Sequence, residues 1–239
     1  MKAVFLSDAH LRASSVQSSR LLAFFRDFGK RYDHLFLVGD FFDFWFCRDG
    51  RLYPPFRPMA ERLAALPEEG VTVYYFEGNH DFFLEDYFGS RGFRIVPEGL
   101  TLTLDGMRFY IAHGDTVDRE NRSYLRLRRF LRSPFSRWLQ SVLPPAILWK
   151  AAGFSSRFSK DYLSDPPEPL VRKMQSFAME KFREGCDAVV VGHCHLPIHR
   201  ETTLLGRPRH FVALGDWIRH FSYLEYGNGK FDLLSWRGK

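Results

Sequence analysis

Five short polar clusters recur along the chain, each at the end of an apolar run. They are SDAH (Asp8, His10), GDFFD (Asp40, Asp43), GNHD (Asn79, His80, Asp81), AHGD (His113, Asp115) and GHCH (His193, His195). The apolar runs before the first three, KAVFLS, HLFLVG and VTVYYFEG, have the length and β-branched or aromatic content of buried strands. Between them, residues 16–30 place Leu21, Leu22, Phe25 and Phe28 at helical spacing. Residues 58–66 read as a second helix, closed by a break from Pro67 to Gly70. Strand, helix, strand, helix, strand is the opening of an α/β sheet. In such a sheet the residues that follow the strands gather in one crevice at the carboxyl ends. The pattern therefore requires a fold that brings five polar clusters to one place.

The rest of the chain extends the same reading. TLTLDGMRFYIAHG is expected to be a hairpin about Asp105-Gly106. Residues 168–184 read as a helix, and CDAVVVGHCH as a buried strand running into a loop. The last forty residues alternate short strands with Gly turns: FVALG, FSYLEY and GKFDLLSW. Two packed sheets flanked by helices are expected, in a single domain over residues 1–239 with a helical insertion at 119–165.

The residue types point to metal chemistry. Asp8 and His10 are two apart, as are His193 and His195, so in extended backbone each pair faces one side. Cys194 then faces away and is not counted as a ligand. Gly before a ligand lets the backbone turn sharply and approach closely. Any one of these clusters alone is a weak signal, since D-x-H and H-x-H occur without metals and G-D and G-N often mark plain turns. Five in order, each after an apolar run, are not five coincidences. Oxygen with imidazole suits Mn, Fe or Zn better than Mg or Ca. Asp8, Asp40 and the five neutral ligands His10, Asn79, His113, His193 and His195 against two divalent ions leave about +2 on the site. Such a site attracts phosphate and supports in-line attack by an activated hydroxide, the two-metal scheme. Asp43, Asp81 and Asp115 read equally well as partners that orient His ligands and as ordinary turn carboxylates.

The series D-x-H, G-D-x-x-D, G-N-H-D, H-G-D, G-H-x-H resembles the calcineurin-like metallophosphoesterases, and it spans most of the chain. That resemblance implies a four-layer α/β/β/α sandwich. It implies that Asp8, His10, Asp40 and His195 hold one metal, and that a bridging Asp40 holds the second with Asn79, His113 and His193. Asp40 and His80 are then the catalytic expectations. His80 stands beside the metals and contacts a phosphate oxygen or protonates the leaving oxygen.

Further motifs are similar to those of UDP-2,3-diacylglucosamine hydrolases of lipid A synthesis: SDAHL at the start, GDFFDFWF, GNHDFF, HGDTVD leading to Tyr124, a helical insertion, and LGDW from Leu214 to Trp217. The resemblance implies cleavage of the pyrophosphate of UDP-2,3-diacylglucosamine into UMP and 2,3-diacylglucosamine 1-phosphate. It implies Mn as the metal and work on the cytoplasmic face of the inner membrane. Substrate contacts would then fall to Asn79, His80, Asn121, Tyr124, Arg128, Ser159 and Lys160. One position departs from the pattern, because the best-known of these hydrolases carry Arg where this chain has His80. Their leaving group is a phosphate with a second pKa of about 6, which leaves without a proton. An alkoxide needs an acid such as His. His80 is thus compatible with the lipid reaction and also with an alcohol leaving group. The alternative reading is a soluble metal-dependent phosphodiesterase, phosphatase or nuclease.

Charge is unevenly placed. Residues 119–160 carry ten Lys or Arg and a single acid, Glu120, whereas the remainder has a slight acidic excess. The basic segment therefore points to an anionic partner. Tyr124, Leu127 and Leu131 share one helical face, with Arg122, Arg126 and Arg129 on another. Ser133-Pro134 interrupts, and Phe135, Trp138, Leu139, Val142 and Leu143 resume the period. Arg-rich helices with Trp, Phe and Leu suit an anionic lipid surface, or line an acyl pocket. Packing of the apolar faces on the core and a single-strand nucleic-acid groove are the competing readings; no nucleic-acid module accompanies the segment, so no such partner is expected. No uncharged apolar run approaches the ~18 residues of a membrane span. The start MKAVFLSDAH meets a charge too early for a signal peptide. Three cysteines without a C-x-x-C suit a reducing compartment.

Overall fold

The computed structural model describes residues 1–12, 16–48, 51–144, 147–148 and 168–238. Along the chain come β1 (Lys2–Leu6), α1 (Val16–Phe25), β2 (His34–Val38), the two-residue pair β3 (Cys47–Arg48) and β4 (Arg51–Leu52), and α2 (Arg57–Ala64). Then follow β5 (Thr72–Phe76), α3 (Glu85–Phe88), β6 (Arg94–Val96), β7 (Leu100–Leu104) and β8 (Met107–Ala112). The helices α4 (Arg122–Leu131), α5 (Pro134–Val142) and α6 (Glu168–Arg183) precede β9 (Ala188–Val191), β10 (Pro197–Leu204), β11 (Arg207–Leu214), β12 (Ser222–Gly227) and β13 (Lys230–Ser235).

Two sheets result. One has the order β13-β12-β1-β2-β5-β6, the other β10-β11-β9-β8-β7. The strands that lead into the polar clusters are parallel neighbours: β1 with β2, β2 with β5, and β8 with β9. β1, β2 and β9 are buried on both faces along nearly their whole length, which is why they read as unbroken apolar runs, whereas β5 and β8 keep part-exposed or exposed positions such as Tyr74 and Arg108. Alternation divides each strand between two cores. Ala3 and Phe5 of β1 enter the core between the sheets, with Phe36, Phe109 and Val190. Val4 and Leu6 enter the core beneath α1, α2 and α3, with Phe24, Met59 and Phe88. On the far side, Val189 and Val191 pack under Met174, Ala178 and Phe182 of α6. The layers run helix, sheet, sheet, helix, as the motif series implies.

Local details differ from the sequence reading for identifiable reasons. The helix expected over 16–30 ends at Phe25, and a 3₁₀ turn at Phe28–Lys30 keeps Phe28 buried. Gly29 lies in this turn, where an added Cβ would meet the Glu69 side chain at 2.8 Å. Strand β10 was not legible because it is an edge strand exposed along most of its length. The hairpin at Asp105-Gly106 forms as expected, both residues having positive φ (46° and 79°). Ser133-Pro134 does separate two helices: the Ser133 hydroxyl accepts from Ser136 N at 3.2 Å and Pro134 opens α5.

Candidate metal centre

All five clusters leave the carboxyl ends of parallel strands. Asp8 and His10 follow β1, Asp40 follows β2, Asn79 and His80 follow β5, His113 follows β8, and His193 and His195 follow β9. The backbone there is unusual. Asp8 (φ 54°), His10 (41°), Asp40 (53°), His193 (66°) and His195 (56°) all lie in the left-handed region. Each costs roughly 1–2 kcal/mol for a residue bearing a Cβ. Cross-bracing holds them: Asp8 N donates to Gly39 O at 3.1 Å, and His10 N to Asp40 O at 2.9 Å. His193 N donates to Asp8 Oδ2 at 2.8 Å. The glycines are steric necessities, since a Cβ on Gly78 would lie 2.1 Å from Asp40 Oδ1 and one on Gly39 2.5 Å from His113 Nδ1.

The side chains fall into two adjoining groups. Asp8, His10 and His195 bring ligand atoms within 4.8 Å of one another, and so do Asp40, His113 and His193. Asp40 joins the groups: its Oδ2 is 3.7 Å from His10 Nε2 and 3.4 Å from His113 Nε2. Asn79 Oδ1 is 3.1 Å from His113 Nε2. Asp8 Oδ1 and His10 Nε2 are buried without a hydrogen-bond partner. Seven other buried side-chain atoms among the described residues also lack a partner, but only these two face the ligand cluster, and a lone pair of each directed at one point fits a cation. The donor set of carboxylate, amide oxygen and imidazole fits Mn, Fe or Zn. Tautomers agree: His113 Nδ1 lies 2.9 Å from Val38 O and donates to it, leaving the Nε2 lone pair facing Asp40. Burial holds the His10 imidazole well below its usual range and His193 down to about 4, so both are neutral and able to ligate. Burial raises the Asp40 carboxyl, but His113, His80 and His10 outweigh it and hold it well below the carboxylate range. Burial disfavours charge on His113, yet Asp40 and Asp8 push it up to about 10, so a cation competes there with a proton.

Residues 1–197 match the calcineurin-like phosphoesterase family. The chain belongs to that family. Among its relatives, the UDP-2,3-diacylglucosamine hydrolase of Pseudomonas aeruginosa is 30% identical over 235 residues, covering 94% of this chain and 95% of its own. That of Aeromonas salmonicida is 30% identical over 243 residues, covering 96% and 91%. A solved archaeal phosphodiesterase superposes with a TM-score of 0.52 at 12% identity, over 99% of this chain and 100% of its own, a likeness of fold.

The three further carboxylates of this phosphoesterase have separate tasks. Asp43 faces His10 Nδ1 at 3.8 Å and pairs with Arg12 at 3.1 Å, which suits an orienting partner. Asp81 touches no imidazole. It accepts from the N–H groups of Asp40, Phe41, Phe42 and Gly78 and from Tyr75 Oη, and so builds the turn that carries Asp40. Asp115 accepts from Tyr124 Oη at 2.6 Å and Arg128 Nε at 2.7 Å, tying α4 to the residue two beyond His113. His80 donates its N–H to Asp40 Oδ1 at 2.8 Å, and its Nδ1 lies 3.0 Å from Asp43 O. Its ring meets His10 edge-on at 4.7 Å, and a ring nitrogen falls within 4.8 Å of ligand atoms of His10 and Asp40. Cys194 packs into the core under α6, away from the ligands. Asp216 faces the centre too; in the sequence it falls only within LGDW and was given no role, although G-D after the apolar run FVAL repeats the pattern of Gly39-Asp40.

The basic segment meets the site through its arginines. Besides Asp115, Arg128 pairs with Glu98 at 2.8 Å. Arg132 bonds Glu77 Oε2 and Gly78 O, each at 2.7 Å, next to Asn79. Arg137 pairs with Asp86 at 2.5 Å. Asn121 caps α4, its Oδ1 accepting from Tyr124 N at 3.2 Å. The expected face of Tyr124, Leu127 and Leu131 is split: Tyr124 and Leu131 are half-buried, while Leu127 points to solvent, because Arg128 and Arg132 take the inward position beside them. Leu127, Phe130, Phe135, Trp138 and Val142 are each more than half exposed, and α4 has no buried residue. The apolar faces therefore do not pack on the core. Arg122, Arg126 and Arg129 are exposed. Ser159, Lys160 and the far end of the insertion lie outside the described residues. No helix among the described residues is long and apolar enough to cross a membrane.

Proposed function

We propose that this phosphoesterase hydrolyses the pyrophosphate of UDP-2,3-diacylglucosamine, with Mn²⁺ as its metal, to give UMP and 2,3-diacylglucosamine 1-phosphate in lipid A synthesis. Relatives bearing the name UDP-2,3-diacylglucosamine hydrolase, alike over nearly the whole chain, support the substrate. One observation carries the geometric side. A hairpin of exposed aromatic and aliphatic side chains is fastened by Arg128 and Arg132 to the loops that hold His113 and Asn79. A substrate that is anionic at one end and oily at the other fits that juxtaposition.

Asp8, His10, Asp40 and His195 would hold one ion, and Asp40, Asn79, His113 and His193 the other. When bound, the ions make water a nucleophile near neutral pH and neutralise the phosphoryl oxygens. Asp40, kept ionised by the surrounding imidazoles, would be the ligand common to both ions, since its Oδ2 faces both His10 and His113. His80 donates from Nδ1 to Asp43 O, which orients the ring, and in its imidazolium form Nε2–H would donate to a phosphoryl oxygen. Asn79, Asn121, Tyr124, Arg128, Ser159 and Lys160 complete the substrate contacts. We read residues 1–239 as one domain and 119–165 as its lid, docked peripherally on the cytoplasmic face of the inner membrane through the exposed apolar strip and the outer arginines.

The test is UMP release from UDP-2,3-diacylglucosamine by the Mn-loaded protein. Release that disappears in Asp40→Asn and His113→Ala supports the reading. An uncut lipid sinks it. A second reading, a soluble phosphodiesterase, is favoured by the orientation of His80, whose ring is held through Nδ1 and whose imidazolium form would protonate an alkoxide from Nε2. Brisk cleavage of a nitrophenyl phosphodiester without lipid activity selects it.

A further inference from the structure

We propose that Asp216 is a positioning residue for the metal centre, fixing the ring and tautomer of His195; this role rests on the metal-centre reading above. Asp216 is buried at the end of β11, just past Gly215. Its two oxygens are used differently. Oδ1 accepts from Ile218 N (3.0 Å), Arg219 N (2.7 Å) and His220 N (3.0 Å), which pins the carboxylate. Oδ2 is left facing two imidazoles, His195 Nδ1 at 3.6 Å and His220 Nδ1 at 3.5 Å.

The consequence for His195 is directional. A carboxylate oxygen opposite Nδ1 favours the proton on Nδ1 and the lone pair on Nε2. His195 Nε2 points the other way, 3.6 Å from Asp8 Oδ1, the buried oxygen that has no hydrogen-bond partner. The same loop also braces Asp8 itself, because Trp217 N donates to Asp8 O at 3.2 Å. Gly215 (φ 77°) makes the approach feasible, since a Cβ there would lie 2.2 Å from Ser222 Oγ. One short loop thus sets both the backbone of one ligand and the ring of another.

Asp216→Asn separates this role from turn-building. The amide oxygen still accepts from the three N–H groups. Its NH₂ then opposes Nδ1 and drives the imidazole proton to Nε2, the atom that must ligate. The expected result is a 10- to 100-fold weaker Mn²⁺ affinity by calorimetry, an altered visible spectrum of the Co²⁺-substituted protein, and an unchanged melting temperature of the metal-free chain. In a His195→Ala background, Asp216→Asn should cause no further loss of affinity, because Asp216 acts through that ring. Wild-type affinity and Co²⁺ spectrum in Asp216→Asn overturn the proposal. So does a loss equally large in the His195→Ala background, which assigns Asp216 to the turn alone, even where the variant is less stable. A wild-type protein that takes up no ion overturns the metal-centre reading itself, and this role with it.

Discussion

The metal pocket and the α4–α5 hairpin lie side by side and are built on opposite terms. In the pocket, the candidate ligands sit on left-handed backbone and are buried or nearly so, with Asp8 Oδ1 and His10 Nε2 left unpartnered toward one point. On the hairpin, apolar side chains face outward, and the attachment to the body is made by arginines to carboxylates and carbonyls. Burial fixes the first and charge pairing fastens the second. The difference suits a division of labour in which the pocket determines the bond cut and the hairpin determines what is brought to it.

Four variants press on that division, in falling order of expected effect. Asp40→Asn removes the carboxylate shared by both ligand groups, and turnover should fall by about a thousandfold, with loss of bound metal by elemental analysis. Turnover within a factor of ten of wild type would break the shared-ligand geometry. Asp81→Ala leaves the N–H groups of Asp40, Phe41 and Phe42 without their acceptor, and should cost about 3 kcal/mol in urea unfolding of the metal-free protein. A cost under about 1 kcal/mol would mean that this turn is not held by Asp81.

On the hairpin, Arg132→Ala strips the bonds to Glu77 and Gly78 O and leaves the Glu77 carboxylate buried and unpaired. Amide exchange across residues 122–142 should speed up, and turnover should drop by about tenfold, because the contact ends beside Asn79. Unchanged exchange would show that the hairpin is fastened elsewhere. The smallest effect on folding is expected from Phe135→Ser with Trp138→Ser. Both side chains are exposed, so unfolding should move by no more than about 0.5 kcal/mol each, while sedimentation with anionic phospholipid vesicles is lost.

The two regions were not equally legible in the sequence. Asp8, His10, Asp40, Asn79, His113, His193 and His195 could be singled out as candidates because their clusters follow apolar runs, and the sheets bring those clusters close together. Their left-handed backbone was not read from the sequence: Asp and His are enriched at positive φ among non-glycine residues, but that preference is too weak to single out Asp8 or His195. Asp216 stood within LGDW without a role, because a carboxylate after β11 gains its meaning from the two imidazoles facing it. The sequence located the basic segment but not its division of arginines. Arg128 and Arg132 turn inward because Asp115, Glu98, Glu77 and Gly78 O happen to face them, a tertiary fact with no periodic signal.

The most direct test of the division is a ratio. Turnover of UDP-2,3-diacylglucosamine is measured against that of a water-soluble nitrophenyl phosphodiester, in wild type and in the Phe130→Ser, Trp138→Ser double variant. The account predicts a large fall for the lipid substrate with the soluble diester cleaved as before. Equal losses on both substrates, or none on either, would contradict it.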